Sequence, residues 1–261
     1  MSYDITACIV LYKNDRQILK NTINSFLNTD LLVKLYLIDN SPNDILHDIV
    51  EDSRIEYIFN NQNLGFGVAH NIVIQKCINS SKYHLVLNPD IYYEKGNIEK
   101  IFNFMENNPE YGQLMPKILY PNGLTQFLCK NNPTPFDLFL RRFAPNFFRI
   151  FFQKRMNIYE YLDHNYDDNI FNIPYLSGCF MFFRTKLFLE VGLFDEKIFM
   201  YIEDADITRR FLQVSKNIYY PNACVFHHFE KGSHKKFRLM LYSIHGAFIY
   251  FNKWGWFKNK Q

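Results

Sequence analysis

Four times, starting within its first ninety residues, the chain alternates a short apolar run with a stretch whose apolar residues recur at helical spacing. Residues 5–11, 35–38, 55–59 and 83–87 read as buried strands. Ile18, Leu19, Thr22, Ile23, Phe26 and Leu27, a short run over 45–50, Ala69, Ile72, Val73 and Cys77, and then Ile98, Ile101, Phe102 and Met105 supply the helices between and after them. Such alternation predicts an α/β fold with a mostly parallel central sheet and right-handed crossovers. Ligands of open α/β sheets sit beyond the carboxyl ends of strands, so the polar residues that end these runs are the first candidates for a site.

One stop is Asn88-Pro89-Asp90, after Leu85, Val86 and Leu87. Pro89 cannot donate to a ladder and biases Asn88 towards an extended conformation, which aims the Asp90 carboxylate away from the sheet. A carboxylate there suits a divalent cation, a substrate hydroxyl or a cationic group, although Asn-Pro-Asp is also good turn chemistry. Asp39 ends the second run in the same manner. Gly65-Phe66-Gly67 follows the third run, not the first, and His70 stands where a dinucleotide fingerprint has its third glycine, so NAD binding is rejected. Glycines opening a helix still let N–H groups approach a phosphate or ribose; a tight strand-to-helix turn explains the same residues.

Further along, residues 113–120 read as a strand ending in Pro121-Asn122-Gly123, and 173–183 as another that holds Ser177-Gly178. Between them, 133–161 mixes Phe136, Phe139, Phe143, Phe147, Phe148, Phe151 and Phe152 with Arg141, Arg142, Arg149, Lys154 and Arg155, broken by Pro145. This is either a helical flap meeting an acceptor or a membrane surface, or a helix pair packed on the sheet with snorkelling arginines. A helix begins at Thr185. Ile207, Phe211 and Val214 are helix-spaced, which puts Glu203, Asp204 and Asp206 in a first turn where the dipole favours negative charge; good capping alone also explains three acids there. Residues 223–226 form a short strand before His227-His228, and a basic, aromatic helix ends at Trp254 and Trp256.

Composition narrows the function. The five cysteines are odd in number, widely spaced and free of any Cys-x-x-Cys pair, which argues against a disulfide framework or a zinc ribbon and for a reducing, cytoplasmic compartment. No basic leader is present, and no apolar run approaches the ~18 residues of a spanning helix. From Glu230 onward there are seven Lys or Arg against one acid, so that tail carries +6 and the remainder −3 in a chain of net charge +3. A basic tail points to phosphate, nucleic acid or an anionic membrane.

Cys8-Ile-Val-Leu-Tyr-Lys-Asn14, Leu37-Ile-Asp-Asn-Ser41, Asn63-Leu-Gly-Phe-Gly67 with Asn71, Leu87-Asn-Pro-Asp90, Leu176-Ser-Gly178, Phe194-Asp195, Tyr201-Ile-Glu-Asp204 and His227 with Gly232-Ser233 together, in order and spacing, resemble an inverting glycosyltransferase of family 2. The similarity is to its rhamnosyltransferase-like branch, and it runs over nearly the whole chain. It implies the GT-A fold over 1–229, with 133–161 as a flap insertion and 230–261 as a basic aromatic helical segment. It implies a nucleotide-sugar donor, UDP- or dTDP-linked and perhaps rhamnosyl, a glycan or lipid-linked acceptor in bacterial surface polysaccharide synthesis, no nucleic acid, and peripheral contact at the inner face of the membrane. By the same resemblance Leu11, Tyr12 and Asp39 meet the base. Asn63, Gly65, Phe66, Gly67 and Asn71 line the ribose and donor side, and Asn88, Ser177 and Gly178 belong with them. Asp90 and His227 hold Mn²⁺ or Mg²⁺, and Asn88 stands where the usual motif has its first acid. Asp204 is the general base, Glu203 steers acceptor hydroxyls and Lys235 assists from the tail. Two rivals stand beside this. A sugar nucleotidyltransferase would want a glycine-rich, arginine-bearing loop where Tyr12-Lys13-Asn14-Asp15 lies, and a non-catalytic subunit of a polysaccharide assembly complex is favoured only by Asn88.

Overall fold

Strand β1 (Tyr3–Leu11), buried along its middle, pairs in parallel with β2 (Val33–Asp39) on one side and β4 (Ser81–Leu87) on the other, and β3 (Ile55–Phe59) extends the sheet beyond β2. The structure is a computed structural model and describes residues 2–145, 150–228 and 237–257. Strands covered on both faces read as near-continuous apolar runs, and helices α1 (Arg16–Leu27), α2 (Phe66–Cys77) and α3 (Asn97–Asn107) provide the covering. Asp15 caps α1, its Oδ1 accepting the Ile18 N–H at 2.9 Å. The expected helix over 45–50 is a single 3₁₀ turn, His47–Ile49.

Beyond β4 the sheet continues with β10 (Phe180–Arg184), β6 (Tyr111–Leu119), β11 (Lys216–His227) and β5 (Ile91–Tyr92), while β8 (Ile170–Phe171) also pairs with β11. β10 runs antiparallel to both β4 and β6, and β6 is parallel to β11. Six strands therefore present their carboxyl ends, and β10 its amino end, along one edge. That edge collects the polar stops singled out above.

Two expected strands take a different form. Residues 173–183 are not one strand, because β9 (Tyr175–Leu176) pairs with β7 (Cys129–Lys130) in a separate small sheet and β10 starts only at Phe180. The Asn217 side chain fixes that detour, accepting the Ile173 N–H and donating to its carbonyl, both at 2.7 Å. The strand over 223–226 reaches back to Lys216, with a register shift between Tyr220 and Cys224. Pro221 lies in that bulge, where its missing N–H costs the ladder nothing.

Helix α4 (Pro135–Phe143) opens on a capping box between Thr134 and Asp137 and packs on α5 (Gln153–Tyr159), with Arg155 Nε donating to Asp137 at 2.6 Å. Phe147, Phe148 and Arg149 of this flap lie outside the described residues, as does Lys235 of the tail. After the short α6 (Phe188–Val191) comes α7 (Glu203–Phe211), and the last helix, α8 (Phe237–Trp254), crosses the entry to α7. Gly246 permits this approach: a Cβ there would meet the Tyr201 carbonyl at 2.8 Å. Trp254 closes α8, and Trp256 follows it. No described helix is long and apolar enough to cross a membrane.

Candidate active site

The residue after Asp90 starts β5, which pairs antiparallel with the end of β11 in the register Ile91↔His227. That register sets His227 Nε2 3.4 Å from Asp90 Oδ1. Gln126 orients the imidazole. Its Nε2 donates to the carbonyls of His227 (3.0 Å) and Leu119 (3.3 Å), so its Oε1 is the atom facing His227 Nδ1 at 3.0 Å. An amide oxygen only accepts, which assigns a proton to Nδ1 and turns Nε2 towards the Asp90 carboxylate. Nε2 and the carboxylate could together hold a divalent cation, the ring being fixed by Gln126. Among the described residues no group of three His, Cys, Asp or Glu is placed to hold a metal. A divalent cation here would find two protein ligands, one imidazole nitrogen and one carboxylate, and would draw the rest of its shell from water or phosphate oxygens.

From this pair a short connection runs to the acid cluster. The Asn88 N–H donates to the Cys179 carbonyl at 2.9 Å, and the preceding residue, Gly178, donates its N–H to Asp204 Oδ2, also at 2.9 Å. Tyr175 O–H reaches the same Oδ2 at 3.2 Å, while Oδ1 accepts the Ala205 N–H at 3.0 Å. Glu203 is otherwise placed: it is buried, and its Oε2 has no partner among the described residues. Burial, and then the charge of Asp204, push its carboxyl well above the usual range. Tyr201 and Ile202 precede them with φ of +70° and +74°. Left-handed backbone at a β-branched residue costs on the order of 1–3 kcal/mol, and here it turns the chain so that α7 begins with its acids at the site.

At the tips of β1 and β2, Leu11 and Asp39 are paired, and Tyr12 is exposed beside them. Asp39 has no exposed surface: the Ser41 N–H donates to Oδ1 at 2.8 Å and Tyr57 O–H to Oδ2 at 2.6 Å. A base can hydrogen-bond Asp39 only if the groups covering it, Tyr57 among them, move. Asn63 Oδ1 accepts the Gly65 N–H at 3.0 Å. The first N–H of α2, from Phe66, is taken by the Phe199 carbonyl at 2.9 Å, and a Cβ on Gly65 would lie 2.4 Å from that oxygen. These glycines make room for the chain over 194–199, the tight-turn reading. Asn71 serves the same junction, its side chain exchanging two 3.0 Å hydrogen bonds with the Phe194 main chain. His70 is buried with neither ring nitrogen partnered among the described residues, and burial pushes it well below the usual imidazole range.

A cavity of about 440 Å³ opens between the flap and α8, with Asp204 and Ser177 in its lining together with Lys130, Arg141, Tyr159, Tyr175, Phe248 and Phe251. Glu203 is not among its walls. Burial, with the Arg141 guanidinium beside it, pushes the Lys130 ammonium down to about 8.

The glycosyl transferase family 2 profile matches residues 6–192. The chain belongs to this family. It is 27% identical over 176 residues to an N-acetylglucosaminyl-diphospho-decaprenol L-rhamnosyltransferase of Mycobacterium tuberculosis, a match covering 64% of this chain and 56% of the relative. It is 23% identical over 217 residues to the low-salt glycan biosynthesis hexosyltransferase Agl10 of Haloferax volcanii, covering 82% of this chain and 64% of that one. The chain thus spans less than two thirds of the length of these relatives. Among solved structures, GalNAc-T7 with UDP, GalNAc and Mn²⁺ superposes with a TM-score of 0.66 over 88% of this chain and 44% of its own, at 16% identity. That likeness shows the GT-A fold, a mixed α/β architecture whose central sheet is mostly parallel.

In this family 2 chain the structure brings Asn88, Asp90, Ser177, Gly178, Asp204 and His227 to one sheet edge. Gln126, Tyr175 and Lys130 escaped the sequence reading, and Arg141 entered it only as one of the flap's arginines. Gln126 lies 101 positions from the histidine it orients, and no local pattern marks it.

Proposed function

We propose that the chain is an inverting glycosyltransferase moving a sugar from a UDP or dTDP donor to a hydroxyl of a glycan or lipid-linked acceptor in bacterial surface polysaccharide synthesis. The observation that carries this reading is the tie through consecutive residues: Gly178 holds Asp204 and Cys179 holds Asn88, so proton acceptor and cation site share one short connection. The choice of rhamnose as donor sugar leans on the mycobacterial relative, which is named an L-rhamnosyltransferase acting on a lipid-linked sugar.

In such a transfer the acceptor hydroxyl attacks the anomeric carbon from the face opposite the leaving nucleoside diphosphate, and Asp204 takes its proton. Oδ2 already accepts two hydrogen bonds and Oδ1 one, which leaves Oδ1 the freer to receive it. A divalent ion, Mn²⁺ or Mg²⁺, held by Asp90 and His227 would offset charge growing on the leaving diphosphate. Purified protein given dTDP-rhamnose or UDP-sugars with Mn²⁺ is expected to release the nucleoside diphosphate, slowly without acceptor, and to stop in excess chelator. Inorganic pyrophosphate as product would mark a nucleotidyltransferase instead. If no donor turns over, the non-catalytic reading that Asn88 favours takes its place.

Ligand loss sharpens the metal assignment. Asp90→Ala and His227→Ala should each raise the Mn²⁺ needed for half-maximal activity, and Gln126→Leu, which frees the imidazole tautomer, by about ten- to a hundredfold. Full activity of the wild type in excess chelator would show that the site works without metal.

Exposed apolar side chains support membrane contact. Phe237, Leu241, Ile244 and Phe248 are exposed at helix-repeat spacing along α8, and Phe139 and Ile150 of the flap are exposed too. Phe139, Ile244 and Phe248 also line the cavity, so the apolar surface leads into it. Binding to anionic vesicles should exceed binding to neutral ones by about 1 kcal/mol per nearby Lys or Arg, fall as salt rises, and weaken in Phe237→Ser with Leu241→Ser. Equal recovery in the supernatant with both vesicle types at low salt would reduce these helices to packing.

A further inference from the structure

Lys130 is an unusual cation. It is 5% exposed, it lines the cavity, and neither a hydrogen bond nor an ion pair reaches its Nζ from the described residues. The face of the Tyr175 ring lies 4.4 Å from Nζ to the centroid. Arg141 lines the same cavity, in a long ion pair of 3.7 Å from its Nε to Glu160 Oε1 and with the Tyr159 hydroxyl beside it, so its remaining guanidinium N–H groups can still take an anion. A buried ammonium without a hydrogen-bonded partner costs stability. Two cations facing one cavity repel unless an anion joins them. The carboxylates acting on Lys130 are Asp204 and Glu160, and neither lies within ion-pair distance of it.

We propose that Lys130 and Arg141 form an anion subsite that receives a phosphate or diphosphate group carried by the acceptor. The inference rests on the transferase reading for the word acceptor, and on the cavity alone for the anion. Guanidinium and ammonium groups are the usual partners of phosphate oxygens, through charge-assisted hydrogen bonds. The cavity wall beyond them is apolar, with Leu138, Phe139, Ile244, Phe248 and Phe251, which suits a hydrocarbon chain leaving that phosphate. Tyr175 also fixes the distance to the chemistry: its ring lies under Lys130 while its O–H touches Asp204. Anion and base are thus one tyrosine apart. The hydroxyl presented to Asp204 then belongs to the sugar bonded directly to that phosphate, not to a distal sugar of a long glycan.

Geranyl diphosphate, geraniol and inorganic pyrophosphate are suitable probes, titrated calorimetrically into the full chain with chelator present and with saturating UDP. Geranyl diphosphate is expected to bind the wild type more tightly than either fragment, and UDP should not displace it. Lys130→Met should weaken that binding about tenfold or more, as loss of a charged hydrogen bond does, without changing geraniol binding or lowering the melting point. Arg141→Gln, on a side chain 40% exposed, repeats the binding test should Lys130→Met fail to fold. Equal affinity for geranyl diphosphate and geraniol, undiminished affinity in both variants, or displacement by UDP would overturn the subsite. Pyrophosphate binding as tightly as geranyl diphosphate would assign the cations to a free anion and overturn the acceptor. Absence of donor hydrolysis with Lys130-dependent binding intact would remove the transferase reading and leave the anion subsite standing.

Discussion

Replacing Asp204 with asparagine is expected to cut turnover by roughly 10²–10⁴-fold, the usual cost of a lost proton acceptor, while leaving donor affinity nearly unchanged. Asparagine has the same shape, and its carbonyl can still accept from the Gly178 N–H and the Tyr175 O–H, so the loop over 177–179 should hold. It has no basic oxygen to take the proton. Glu203→Gln provides the contrast. Because the folded-state pKa of Glu203 is raised, its native form holds a proton that the unfolded chain releases above about pH 4.3. Wild-type stability therefore drops, relative to a chain with glutamine there, as pH rises through that value. Glu203→Gln should be at least as stable as wild type at pH 7, converge with it below pH ~4, and retain most of its activity. An Asp204→Asn protein with more than a tenth of wild-type turnover would place the base elsewhere.

The two carboxylates also show what kind of information the sequence carries. Both could be found by local pattern, Asp90 at the end of an apolar run and Asp204 in a helix's first turn. Their division of labour from neighbouring acids could not, since the burial of Glu203 depends on residues far along the chain. β1, β2 and β4 were legible because their buried stretches read as near-continuous apolar runs, and β3, though partly exposed at the sheet edge, still carries Ile55, Tyr57, Ile58 and Phe59. β11 was legible only over its last residues, because Pro221 sits in a bulge that local rules treat as a strand breaker. Asn71 looked like a donor-side group and is engaged by Phe194, 123 positions away. The left-handed pair Tyr201-Ile202 carries no glycine to announce it. Nothing local marks Lys130 after Cys129, and only the pairing of β7 with β9 sets it over Tyr175.

The largest stability effect should come from Asp206, which the reading of first-turn acids grouped with its neighbours but which performs a different task. Its carboxylate is 1% exposed and accepts from Arg210 Nε at 2.9 Å, Lys253 Nζ at 3.0 Å and Trp254 Nε1 at 2.7 Å. Two of those donors lie on α8, so this buried group fastens the last helix to α7. Removing one partner of a buried pair costs about 3–5 kcal/mol. The lower end applies here, because Lys253 is 36% exposed and can turn to water, and Arg210 keeps its bonds to the Val191 and Leu193 carbonyls. Asp206→Ala should therefore lower the melting point by roughly 6–12 °C, on the scale of about 2–4 °C per kcal/mol for a domain near this size. Asp206→Asn, which still accepts from Trp254 but carries no charge, should fall between. Phe248, Phe251 and Trp256 supply one wall of the cavity, and loosening α8 opens that wall without touching Asp90 or His227. The alanine variant should then keep donor hydrolysis below its melting point while losing transfer to acceptor and protection of α8 from protease. A variant that melts within a degree of wild type, or keeps α8 protected, would show that apolar packing around Tyr250 and Phe251 holds the helix without its buried anchor.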